Sequence, residues 1–237
     1  HLEKIYNNPT QNPRVAISFT CAKTVVLNEK KEFIQEFVQP TGWSSVDTAE
    51  EILQKLKLAG INLSDDPSCC VATGYGRISV PYADKAVTEI TCHALGAVHL
   101  FHQPDLTVID IGGQDTKIIQ IEQGFVKDFI MNDKCAAGTG RFLEVMANTL
   151  SLRPNEMFEL ARLGSDTTIS SMCTVFAESE VIGLIGKGEP KENIAYAVVD
   201  STIRKVAAQV SRMNGEMSTF CLTGGLCECE YIREALS

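Results

Sequence analysis

The hydrophobic pattern changes period several times along the chain, and each change marks an element. Residues 14–20 and 33–38 read as strands, and Val25-Val26-Leu27 predicts a further strand between them. Over 47–58 the spacing becomes helical, with Asp47 as N-cap and Ile52, Leu53, Leu56 and Leu58 on one face. A short strand over 69–73 runs into a turn at Gly74-Tyr75-Gly76-Arg77. The stretch 82–101 predicts one long amphipathic helix through Ala86, Ile90, Ala94 and Val98. Residues 106–111 form an all-apolar strand apart from Thr107 and Asp110, and it ends in Gly112-Gly113; strands over 116–121 and 124–130 follow. Helices are predicted from Gly138 to 150, over 154–163, over 175–186 and over 194–213. A last strand over 219–222 leads into Thr223-Gly224-Gly225.

The order of these elements repeats. Strand–turn–strand units followed by helices begin near Val15 and again near Val108. A duplication of that kind predicts an α/β protein of two lobes, residues 1–101 and 102–237, with a nucleotide cleft between them. The competing doubly wound dinucleotide fold is disfavoured, because no Gly-x-Gly-x-x-Gly follows a strand.

Composition narrows the classes. A net charge of −9 over 237 residues argues against general binding to nucleic acid or to anionic membranes. No apolar run reaches the roughly 18 residues of a membrane span, and residues 1–8 have no apolar signal core, so a cytoplasmic protein is expected. The nine cysteines are odd in number and include no Cys-x-x-Cys pair, which argues against a disulfide framework, a zinc ribbon or a ferredoxin-type motif. Cys92 and Cys221 lie in apolar runs and read as core residues.

Three glycine turns carry the candidate chemistry. In Asp110-Ile111-Gly112-Gly113-Gln114-Asp115-Thr116-Lys117 the glycines let backbone amides approach phosphate oxygens. Asp110 at the strand end can hold Mg2+, directly or through water, and Gln114 and Asp115 stand where attacking water would be positioned. Taken alone, the stretch is equally a β-hairpin with a polar tip. Gly224-Gly225 repeats the device after a buried strand. Gly138-Thr139-Gly140 opens a helix just after Cys135, in a setting suited to phosphate and to a thiolate at once. Cys173 likewise precedes a helix, with Glu178 soon after it as a candidate contact for a nucleotide ribose or a magnesium-bound water. Two thiolates cannot fill the four positions of a tetrahedral zinc or a four-iron cluster. Two from each of two identical chains can, so any metal here favours a site on a twofold axis; the bland alternative is two core cysteines.

Five stretches together resemble one family. They are Thr73-Gly74-Tyr75-Gly76-Arg77, Asp84-Lys85-Ala86-Val87-Thr88-Glu89-Ile90-Thr91-Cys92-His93-Ala94, Val108-Ile109-Asp110-Ile111-Gly112-Gly113-Gln114-Asp115, Asn132-Asp133-Lys134-Cys135-Ala136-Ala137-Gly138-Thr139-Gly140 and Met172-Cys173-Thr174-Val175-Phe176-Ala177-Glu178-Ser179-Glu180. They resemble the activators of 2-hydroxyacyl-CoA dehydratases and the related ATPase subunits of benzoyl-CoA reductase. The resemblance implies an actin-like, ribonuclease H-like ATPase fold binding ATP or ADP with Mg2+. It also implies a homodimer bridging one [4Fe–4S] cluster through Cys135 and Cys173 of each chain. On that pattern ATP binding and hydrolysis alter the angle between the cluster-bearing helices and drive a low-potential electron into a dehydratase, with flavodoxin or ferredoxin as donor. An oxygen-sensitive cluster and an anaerobic setting are implied as well.

The N-terminus departs from that family. Its members carry a first phosphate loop of the form Ile-Asp-x-Gly-Ser-Thr-x-Thr-Lys. Aligned on Lys23, this chain has Ala16 at the acid, Ser18 at the glycine and Phe19 where a small residue should face phosphate. The chain also stops soon after Gly225, where the family continues with a further strand and helix; the sequence is expected to be truncated or divergent there. The altered loop keeps a second reading open, a non-hydrolysing cluster- or nucleotide-binding module that regulates a partner. A sugar or acetate kinase of the same superfold leaves the cysteine segments unexplained.

Overall fold

The computed structural model describes residues 14–19, 21–30, 32–63, 69–132, 135–170, 173–213 and 219–237. It divides into two compact units, one running to Pro104 and including Gly124–Val126, the other made of Asp105–Gln123 and Lys127–Ser237.

The first unit contains β1 (Arg14–Phe19), β2 (Cys21–Leu27), β3 (Phe33–Pro40), α1 (Ser45–Leu58), β4 (Cys69–Gly74), β5 (Lys85–Ala86) and α2 (Glu89–Phe101). Its sheet has the order β3-β2-β1-β4-β5. The three-strand meander is antiparallel, and β4 lies parallel to β1 on the other side. The apolar face of α1, Ala49, Ile52 and Leu56, is fully buried with Val15, Ile17, Val26 and Ala72. The cap of α1 is Ser44, whose hydroxyl accepts from the Asp47 amide at 3.2 Å; Asp47 is the acidic residue of the first turn.

The helix predicted over 82–101 begins only at Glu89, capped by the Thr88 hydroxyl. The preceding residues make sheet edge instead. Asp84 donates its amide to Cys70 O at 2.8 Å and accepts the Cys70 amide on its carboxylate at 2.7 Å, and the Val87 amide bonds Ala72 O. Helical periodicity alone cannot see this, because the competing hydrogen bonds are to a strand distant in sequence.

The second unit repeats the topology. β6 (Leu106–Ile111), β7 (Thr116–Glu122) and β8 (Phe125–Asn132) precede α3 (Gly140–Thr149), α4 (Pro154–Ala161), α5 (Thr174–Gly186), α6 (Lys191–Val210), β9 (Phe220–Thr223) and α7 (Glu230–Ala235). The sheet order is β8-β7-β6-β9, with β6 antiparallel to β7 and parallel to β9. The duplication expected from sequence is therefore present as β3-β2-β1-β4 and β8-β7-β6-β9. The core of this unit gathers Ile109, Ile111 and Ile118 with Phe142, Leu143 and Met146 of α3, Ala177 and Val181 of α5, and Ile194, Val198 and Val206 of α6. α3 starts at Gly140 rather than Gly138, and α6 starts earlier and ends earlier than its periodicity predicts.

Cys70, Cys92 and Cys221 are buried, as core cysteines should be. Burial pushes the thiols up from their ordinary value of 9.0: Cys70, also facing Asp84 and Cys69, to about 12, and Cys221 to about 11. Neutral thiols are thus favoured in the fold, while in the unfolded chain they ionise from about pH 9. Their contribution is complete below pH 9 and is lost as pH rises toward 11–12. Unfolding free energies from urea titrations at pH 8 and pH 11 are expected to differ by several kcal/mol, with pH 8 the more stable.

Candidate functional site

The glycine turn between β6 and β7 is closed by its own backbone, Gly112 N–H donating to Asp115 O at 2.9 Å. The charged residues flanking its tip are buried, unlike those of a solvated hairpin. Asp110 and Asp115 are 5% and 4% exposed, and between them lies Lys117, 2% exposed. Lys117 Nζ is 2.6 Å from Asp115 Oδ1 and 3.4 Å from Asp110 Oδ2. The other oxygen of Asp110 accepts from the Thr223 hydroxyl at 3.2 Å, a bond set up by the β6–β9 register, which pairs Asp110 with Thr223. Gln114 is exposed at the tip of the turn.

Gly224 follows Thr223 with φ 87° and ψ 174°, a region open essentially to glycine alone. A Cβ there would lie 2.4 Å from Ile111 O and 2.8 Å from Asp110 Oδ1. This glycine brings the end of β9 against the end of β6. Gly113 and Gly225 differ: both are exposed, and a Cβ on either would meet nothing within 4 Å. They leave open backbone surface at the two strand ends, which lets a phosphate approach main-chain amides with no side chain in the way.

The β6–β7 turn is bonded to the start of α3. The amides of Gly140 and Arg141 donate to Gly112 O and Gly113 O at 2.9 and 2.8 Å, and a Cβ on Gly140 would come within 3.3 Å of Gly113 Cα. These helix-terminal amides are therefore engaged by the turn, and Gly140 serves close packing. Thr139, fully buried, is the N-cap residue, and its hydroxyl donates to Ala136 O. The short segment from Cys135 to Gly138 is held at both ends. Asn132 donates to the carbonyls of Cys135 and Ala137 at 3.0 and 3.1 Å, and Thr116 donates to Gly138 O at 2.7 Å. Cys135 is partly buried and stands one turn of chain ahead of α3, not directly at its start. Asp133 and Lys134 lie outside the described residues.

Cys173 is exposed and is the N-cap residue of α5. Ser171 and Met172 lie outside the described residues, but Ser170 is fixed to α5 by two bonds to the Glu180 carboxylate, 2.9 Å from its amide and 2.6 Å from its hydroxyl. The Thr149 hydroxyl at the end of α3 donates to Val145 O at 3.0 Å and shares that proton with Glu178 of α5 at 3.3 Å. One side of α5, Ala177 and Val181, is buried against the α3 core. The opposite side is also apolar: Val175 and Phe176 are each 66% exposed and Ile182 57%, in a stripe continued by Ser179, Gly183 and Gly186. Among the described residues no group of three or more His, Cys, Asp or Glu forms a metal site within one chain. Two thiols of a soft donor set, one of them exposed at a helix start, fit half of a four-thiolate site.

Sequence reasoning did not assign roles to Lys117, Thr223, Asn132 or Thr116. A lysine at the start of a strand rich in isoleucine and seven residues after a strand-end acid was the available signal for the first. The others depend on register.

Ser18 pairs with Lys23 and Thr73 in the first unit as Asp110 pairs with Lys117 and Thr223 in the second. By strand pairing, then, Ser18 takes the place of the acid, whereas alignment on Lys23 puts Ala16 there. Neither position holds a carboxylate. The side chains of Ala16, Ser18 and Phe19, and all of Thr20, lie outside the described residues. Lys23, with no acid across from it, is exposed.

Two α/β units with the matching strand orders β3-β2-β1-β4 and β8-β7-β6-β9 make an actin-like ATPase fold. The chain belongs to the BadF/BadG/BcrA/BcrD ATPase family, whose model matches residues 19–237. It is 40% identical over 225 residues to the (R)-2-hydroxyglutaryl-CoA dehydratase activating ATPase of Acidaminococcus fermentans, covering 94% of this chain and 85% of that protein. The crystal structure of that dehydratase's component A superposes with a TM-score of 0.81 at 39% identity, over 95% of this chain and 86% of the other. The Clostridium difficile activator of 2-hydroxyisocaproyl-CoA dehydratase, solved with bound ADPNP, gives 0.78 at 34% identity, over 96% and 84%. No helix among the described residues is long and apolar enough to cross a membrane.

Proposed function

We propose that this chain is an ATP-dependent activator of a 2-hydroxyacyl-CoA dehydratase, which works as a homodimer sharing one four-iron cluster. The observation that carries the reading is the pair of bonds from Gly140 and Arg141 to Gly112 and Gly113. They tie the turn suited to phosphate to the helix whose preceding segment holds Cys135. A change in the turn is passed to the cysteine as a backbone displacement, with no side chain between them.

In this reading Gly112, Gly113, Gly224 and Gly225 form the phosphate cradle, with Gly138, Thr139 and Gly140 joining it to the cysteine segment. Asp110 and Asp115 supply hard oxygen donors suited to Mg2+ carried by the nucleotide. Gln114, exposed at the tip, orients water. Cys135 and Cys173 hold the cluster, which when bound supplies a one-electron carrier of low potential. Thr149 and Glu178 keep α3 and α5 in step, so both cysteine segments move together. Glu178, half-buried near the start of α5, keeps acceptor positions for a nucleotide ribose or a magnesium-bound water. The exposed stripe of α5 is where the second copy packs: it begins beside Cys173, is apolar, and its Ser179, Gly183 and Gly186 allow close approach. A flavodoxin or ferredoxin donor completes the scheme. Relatives named as dehydratase activators, and one solved with an ATP analogue, support it.

The test is an anaerobic coupled assay. An inactive 2-hydroxyacyl-CoA dehydratase, mixed with this protein, ATP, Mg2+ and a reduced donor, is expected to gain activity. Asp110→Asn is expected to reduce that gain by roughly a hundredfold. Full activation without ATP, or by Asp110→Asn as well as by wild type, contradicts ATP-driven activation. A cluster present with no ATP turnover would instead favour the regulatory module suggested by the altered first loop.

A further inference from the structure

Lys117 is among the largest fully buried side chains of the described residues, and a buried ammonium is costly unless its charge is met. Here two carboxylates meet it, at 2.6 and 3.4 Å. The matching position of the duplicated unit shows that the fold itself does not require this. Lys23 has the same place in the strand pairing, is in register with Ser18 instead of an acid, and is exposed. Burial of the lysine follows the acids. Without the lysine, two buried carboxylates at one turn would make an oxygen-rich site for any hard divalent cation. With it, the ammonium stands where such a cation would bridge them.

We propose that Lys117 is a resident counter-cation that keeps free divalent metal out of the Asp110–Asp115 pair, so that magnesium reaches this turn only as its complex with nucleotide phosphates. The inference rests on the nucleotide reading above and deepens it. Lys117 is a positioning residue: it acts through the two carboxylates. Before nucleotide binds, the turn carries one formal net negative charge from the three side chains, rather than two. It therefore neither fills with free Mg2+ nor repels nucleotide phosphates as strongly as two bare carboxylates would.

The test measures Mn2+ uptake by electron paramagnetic resonance on nucleotide-free, cluster-free protein, and thermal stability with Mg2+ or with chelator. Wild type is expected to take up little Mn2+ alone and to take it up with ADP. Lys117→Met is expected to bind Mn2+ alone roughly tenfold more tightly or better, and to gain stability from Mg2+. The double variant Asp115→Asn with Lys117→Met should lose both effects. If Lys117→Met is recovered only by refolding, higher yield with Mg2+ than with chelator is the expected sign. Equal Mn2+ uptake by wild type and Lys117→Met, or stability of Lys117→Met indifferent to Mg2+, overturns the inference. So does tight nucleotide-free Mn2+ binding by wild type that Asp115→Asn removes, a readout that needs no Lys117 variant. Wild type that binds no ADP with Mg2+ overturns the nucleotide reading instead, so the two failures are distinguishable.

Discussion

Gly224→Ala is expected to abolish nucleotide binding and to lower stability by roughly 3 kcal/mol or more. Two independent penalties combine at this position. The backbone lies at φ 87° and ψ 174°, and the new methyl would sit 2.4 Å from Ile111 O and 2.7 Å from Ile111 C, neither of which is the free end of a side chain. The only relief is to move β9 away from the end of β6. That breaks the Thr223–Asp110 bond and loosens the Asp110 carboxylate and its turn. Gly225→Ala is the control: it has an ordinary φ, is exposed, and its methyl would enter open space. It is expected to change stability by no more than about 0.5 kcal/mol while still obstructing phosphate. Urea unfolding and ADP calorimetry on both variants separate the two roles. Equal stability of Gly224→Ala and wild type would show that the strand ends are not held together by this glycine.

Much of the fold was legible because local and global signals agree. The apolar run before Gly112-Gly113, the switch to helical spacing after Gly140 and the recurrence of both patterns from Val15 and Val108 were enough to show two repeated α/β units. Where the reading missed, distant hydrogen bonds decided. Residues 82–88 carry helical spacing, yet Asp84 and Val87 bond β4, and the helix waits for Thr88. Asp47 looks like a cap, but Ser44 does the capping and Asp47 stands inside the first turn.

The candidate site was legible as a set of residues and less so as an arrangement. Its glycines, acids and cysteines stand out as residue types. That Gly140 serves contact with Gly113, that Glu178 is bonded to Thr149, and that a lysine is buried between the acids all follow from which strand and helix ends meet. Gly164 passed unnoticed for the same reason: a Cβ there would be 2.1 Å from Glu192 O, so it sets the approach of the α4 end to the start of α6.

The second large effect is expected at the exposed face of α5. Phe176→Asp places a charge at the end of the apolar stripe beside Cys173 and does not touch Ala177 or Val181, which face the core. The fold should survive. The dimer should not, with its dissociation constant raised roughly a hundredfold or more. In the proposed arrangement of two thiols from each chain, loss of the dimer removes the four-thiolate site, and Phe176→Asp is expected to lose iron as completely as Cys173→Ser does. An unchanged dimer in Phe176→Asp would place the interface elsewhere.

Anaerobic reconstitution with iron and sulfide, followed by native mass and metal analysis of the same sample, tests the shared half-site most directly. One cluster of about four irons on a dimer, absent from Cys135→Ser and from Cys173→Ser, is the result expected of two thiolates per chain meeting across a twofold axis. Iron held as a complete cluster by the monomer, or no iron uptake with both cysteines intact, would contradict it.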